Sequence, residues 1–146
     1  MILFFLGFCL AGCVSAKNAI KTEHFSLGRQ VEAEKLIQEL WQAFVHFRRE
    51  NFSAMVSDDF TPTKADFVQD VANAFYKAQP LLLDFTINKI SIDDNKLSVT
   101  FSWKRKVAIR KDNALSLSKG EGGLIFIRKN NTWLLYKIEG ASIFTV

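Results

Sequence analysis

The apolar pattern of this chain changes period at Pro80, and that change limits the folds open to it. Between Val31 and Gln79 apolar residues recur at helical spacing; from Leu81 to Glu139 they alternate. A helix turns about 100° per residue and a strand flips its side chains at every step, so each period presents one apolar face. The order is therefore helices first, then strands, which is α+β rather than alternating α/β. At 146 residues with 49% hydrophobic and 23% charged side chains, the chain is long enough for one domain with a real core.

In the helical part, Leu36, Ile37, Leu40, Trp41, Ala43, Phe44, Val45 and Phe47 fill one wide arc of a helix expected over Val31–Arg49. Lys35, Glu39, Gln42 and His46 take the other side. Residues 51–60 read as a short second helix with an exit turn, and no strand is expected between the helices. Thr63 opens a third helix, with Asp66 placed as in a capping box. Phe67, Val68, Val71, Ala74, Phe75 and Ala78 form its inward arc, and Pro80 stops it. Four strands follow, over 81–92, 97–109, 115–128 and 132–139. The first should slip register near Asn88-Lys89, where the apolar set changes parity, and the third is interrupted at Gly120-Glu121-Gly122-Gly123. Asp93-Asp94-Asn95, Lys111-Asp112-Asn113 and Lys129-Asn130-Asn131 carry tight-turn chemistry, so the strands should be antiparallel neighbours.

The N-terminus reads as an address. Ile2 to Ala11 is an apolar run of about ten residues, half of what a membrane-spanning helix needs, and it suits a signal-peptide core. Leu10-Ala11-Gly12-Cys13 resembles the lipobox of bacterial lipoproteins. That resemblance implies a signal peptide over 1–12, a palmitate-type acyl anchor on Cys13, a tether over 13–30 and a domain over 31–146. Val14, where Asp would imply inner-membrane retention, implies an outer-membrane lipoprotein facing the periplasm. The alternative is ordinary cleavage after Val14-Ser15-Ala16, giving a soluble secreted or periplasmic protein. Cys9 and Cys13 are the only cysteines, so a disulfide or a thiolate zinc site within the domain is excluded.

The order of three helices and an antiparallel run resembles the NTF2-like superfamily, a cone in which a bent sheet wraps the helices. Asp58-Asp59-Phe60 resembles the end of that family's short second helix, and 133–138 with Gly140 and Phe144 resembles its last strand and tail. A cystatin-like helix-on-sheet fold is the alternative. The resemblance implies a pocket inside the cone, and self-association through the sheet's outer face. It also implies, as an alternative function, a lyase or isomerase working with a pocket carboxylate.

The sequence has no phosphate loop, dinucleotide fingerprint, nucleophile elbow or zinc-protease motif, so no cofactor, metal or catalytic residue is assigned. The expected role is binding of an apolar small molecule, a lipid or a partner protein; beside the lyase or isomerase, the other alternative is a purely structural envelope lipoprotein, which a cone filled by side chains would favour. A net charge of +4 is mild, and export argues against nucleic acid. Arg105 interrupts the apolar face of the second strand between Trp103 and Val107, and a buried guanidinium needs a partner, for which Glu121 and Asp84 are the candidates. With Trp103, Tyr76, Glu121 and Tyr136 it makes the candidate pocket set. Lys104, Lys106, Arg110 and Lys111 cluster at one hairpin end, where they face anionic head groups beside an anchor or simply keep a long strand from pairing.

Overall fold

The computed structural model describes residues 16–145, with side chains from residue 27 onward. The expected signal peptide and Cys13 lie outside the described residues. The element order is α1 (Ala16–Val45), α2 (Arg49–Ala54), β1 (Val56–Thr61), α3 (Lys64–Lys77), β2 (Ala78–Asp93), β3 (Lys96–Ile109), β4 (Leu115–Lys129) and β5 (Thr132–Gly140). The strands form one sheet in the order β1-β5-β4-β3-β2, with β1 parallel to β5 and every other pair antiparallel. Helices pack against the inner face of this curved, unclosed sheet, and the fold is the expected α+β cone.

Several boundaries differ from expectation: α2 spans Arg49–Ala54, α3 ends at Lys77 so that Ala78 and Pro80 already belong to β2, and three further differences shape the sheet and its cover. The sheet has five strands, not four: Val56–Thr61, read as a helix exit, is a strand. Val56, Ser57 and Phe60 of this segment are buried, and two exposed aspartates interrupt it, so its period is hidden. Asp58 bonds Lys64 of α3 at 2.9 Å, and Asp59 bonds Lys129 of β4 at 2.6 Å. The Lys64 hydrogen bond and charge hold the Asp58 carboxyl below the ordinary carboxylate range. Helix α1 ends four residues early, at Val45, and is helical from Ala16, so it includes most of the segment read as a tether. Finally, β4 runs unbroken through its glycines.

The local rules explain most of the rest. The Thr63 side chain accepts the Asp66 amide, and Asp66 and Lys77 match the helix dipole at either end of α3. Pro80 sits in β2 at the sheet's edge, where a missing N–H is tolerated. The register shift expected in β2 occurs between Ile87 and Lys89. Asp94, Asn113 and Asn130 have positive φ in the three hairpin turns.

The core lies between α1, α3 and the inner face. Ile37, Leu40, Trp41 and Phe44 of α1 meet Leu97, Val99, Phe101 and Trp103 of β3 and Leu124 and Phe126 of β4. A cluster of rings closes it: Phe44, Phe52 and Phe67 each contact Phe144 at 5.5–5.9 Å between centroids, edge to face. Trp133 marks the far end of the sheet, where its Nε1 donates to Glu32 of α1 at 2.7 Å.

Candidate functional site

Of the sequence-predicted residues, the structure brings Trp103 and Arg105 together on the inner face of β3, where they are 5% and 7% exposed. Among the described residues Arg105 is the single charged side chain that is buried. Its guanidinium carbon lies 5.3 Å from the centre of the Trp103 ring, a cation–π contact. Its hydrogen bonds go to neutral acceptors: Nε donates to Ser118 Oγ at 2.9 Å and Nη1 to the Ile143 carbonyl at 2.6 Å. Burial pushes the guanidinium below its usual range, with no carboxylate beside it to oppose the shift.

Neither expected counter-ion reaches it. Glu121 lies across from Ser102, and Asp84 across from Lys104, so both project from the outer face while Arg105 projects inward. Glu121 instead accepts from Ser102 Oγ at 3.4 Å, and Asn88 donates to the same hydroxyl at 2.8 Å. Tyr76 is 70% exposed on α3 and lines no interior pocket. Tyr136 is half-buried at the register shift between β4 and β5. In the basic cluster, Arg110 is committed to the fold: it lies 4.7 Å from the Phe75 ring centre and donates to the Phe75 carbonyl at 2.9 Å.

Sequence reasoning marked Gly140 and Phe144 as a tail by resemblance but gave the C-terminal segment no part in the site. Gly140, at φ 69°, turns the chain off β5. The Ala141 amide then donates to the Glu121 carbonyl at 3.0 Å, and Trp103 Nε1 donates to the Ala141 carbonyl at 3.3 Å. Ile143 and Phe144 follow, fully buried. The glycines of β4 permit this path. A Cβ on Gly120 would lie 2.7 Å from the Trp103 indole, and one on Gly122 would lie 2.4 Å from the Ala141 carbonyl oxygen. The interior of the cone is thus occupied by the chain itself, and Arg105 is the clasp that holds the plug.

A cone of this layout matches solved structures. The chain has the NTF2-like fold. An NTF2-like superfamily protein from Salmonella enterica serovar Typhimurium LT2 superposes with a TM-score of 0.64 at 9% identity, over 80% of this chain and 92% of that one. A ketosteroid isomerase-like protein from Erwinia carotovora atroseptica gives 0.59 at 11% identity, over 75% and 93%. An NTF-2 like protein of unknown function from Shewanella oneidensis MR-1 gives 0.60 at 10% identity, over 77% and 98%. No protein-family model and no curated protein matches the chain. The strand between the helices, absent from the sequence-based layout, is β1, so this NTF2-like chain carries the early strand after all.

Two grooves open on the outer face of the NTF2-like sheet. One, of about 440 Å³, runs between Asp84, Thr86, Ser102 and Glu121; the other, of about 450 Å³, runs between Leu82, Lys104, Lys106, Leu117 and Lys119. Among the described residues no cluster of three or more His, Cys, Asp or Glu is placed to hold a metal ion, and no helix is long and apolar enough to cross a membrane.

Arg105→Leu tests the clasp. The change strands the Ile143 carbonyl and the Ser118 hydroxyl but relieves a buried charge, so the expected loss is about 1–2 kcal/mol in urea denaturation. A loss above about 4 kcal/mol would mean that the guanidinium holds more of the fold than its two neutral acceptors.

Proposed function

We propose that this chain is the folded body of an exported envelope lipoprotein, anchored through Cys13, that binds a ligand on its surface and transforms nothing. The supporting observation is the filled cone: Phe144 sits among Phe44, Phe52 and Phe67, and Arg105 is engaged by a hydroxyl and a peptide carbonyl. An isomerase or lyase of pocket type needs a carboxylate placed inside to move a proton. Here Asp84 and Glu121 face outward. The space left for a lipid or a partner is the grooved outer face of the sheet, which is also the face expected for self-association, and a smaller cleft of about 190 Å³ between β1, α3 and the C-terminal segment, where Asp66 and Asp70 are exposed.

One preparation tests both halves of this reading. Cells expressing the chain and fed an alkynyl fatty acid should label the wild type and not Cys13→Ser; equal labelling of the two refutes the anchor. Native mass spectrometry of the same material should show added mass from a retained lipid or metabolite, or a defined complex. A bare monomer that turns over an added ketosteroid would refute the binding reading.

A further inference from the structure

The first third of β4 is turned inside out. Its first residues, Leu115-Ser116-Leu117-Ser118-Lys119, would by their alternation bury the leucines and expose the serines. The structure does the reverse: Ser116 and Ser118 pair across from the inward Val107 and Arg105, while Leu117 is 79% exposed. The register is set elsewhere, because only this pairing puts Gly120 beneath the Trp103 indole and Leu124 and Phe126 in the core. Across the sheet, Leu117 pairs with Lys106 and Lys106 with Leu82, which is 58% exposed. The two leucines therefore flank Lys106, about 10 Å apart at two strand spacings. Lys104 and Lys119 form the neighbouring row with Asp84. Among the described residues none of the three lysines makes an ion pair.

We propose that this patch docks on a lipid bilayer carrying anionic head groups. Leucines that project from between lysines match a membrane interface: the apolar tips enter the acyl boundary while the lysine stems lie alongside and their ammonium groups reach phosphates. Three cations face one carboxylate, Asp84, with Glu121 a further row away, so the charge is complementary to an anionic surface. The same excess opposes a second copy, since a twofold axis through the patch would set lysines against lysines. The proposal rests on the reading above that the chain binds with its surface rather than inside its cone.

The test uses the full chain carrying Cys13→Ser, so that no acyl group contributes, and vesicles of phosphatidylcholine with or without about one third phosphatidylglycerol. All variants share this background, so any contribution from the N-terminal residues cancels. Sedimentation should show preferential binding to the anionic vesicles. Lys104→Gln with Lys106→Gln and Lys119→Gln should weaken it about a hundredfold, from roughly one kcal/mol per lysine. Leu82→Ser with Leu117→Ser should weaken it at unchanged charge, and both variants should melt with the parent because the changed side chains are at the surface. Equal binding to neutral vesicles, or unaltered binding by both variants, overturns the proposal. So does a dimer in light scattering that the leucine variant dissolves. If a retained ligand is nonetheless found by native mass spectrometry, the binding reading survives and the bilayer as its target falls.

Discussion

Phe144→Ala should cost about 3–5 kcal/mol, a fall in Tm of roughly 10–20 °C. The ring is fully buried and meets Phe44, Phe52 and Phe67 edge to face, so its removal leaves a dry cavity in the middle of the cone. The neighbours are held by α1, α2 and α3 and have little freedom to collapse. Differential scanning calorimetry reads the loss. A small arene such as benzene should restore part of it, because an apolar cavity of ring size takes such a guest and binding favours the folded state. A loss below about 1 kcal/mol would mean that the C-terminal segment is a surface strap rather than core.

Gly122→Ala should cost about 3 kcal/mol, whereas Gly123→Ala, one residue on, should be neutral or stabilise by up to about 1 kcal/mol. At Gly122 the new Cβ meets the Ala141 carbonyl oxygen at 2.4 Å and the Glu139 carbonyl oxygen at 3.2 Å, both backbone atoms that cannot swing aside. Either the strand shifts or the segment from Ala141 onward lifts off. At Gly123 the nearest atoms are 3.5 Å or more away, ordinary contact, and the gain comes from a less flexible unfolded chain. Urea denaturation of the two variants side by side makes the comparison. Equal losses would refute the close approach of the C-terminal segment to β4.

How far the sequence reveals this molecule depends on whether each determinant is local. The inward row Leu97, Val99, Phe101, Trp103, Arg105 and Val107 is legible because alternation in a half-buried strand is a local signal. The slip at Asn88 is legible for the same reason, as a change of parity. Strand β1 is not, since its six residues carry two acids and it is held by Lys64 and Lys129, six and 70 residues away. Arg105 is found by the pattern it breaks, but its partners are a main-chain carbonyl and a serine hydroxyl, which have no sequence signature at 38 and 13 residues distance. Glu121 and Asp84 were natural candidates as carboxylates; the strand pairing puts them on the other face. The inverted first third of β4 misleads any local reading, because a glycine beneath an indole decides its register.

The three indoles end up in three separate environments: Trp41 in the helix–sheet core, Trp103 under the C-terminal segment, and Trp133 bonded to Glu32 at the opposite end. Each therefore serves as a built-in optical probe for a different event. In chains that keep one indole at a time, the emission of Trp103 should register release of the plug alone, that of Trp133 the detachment of the first helix, and that of Trp41 only global unfolding. Partial opening of the cone would thus be visible without attaching any dye.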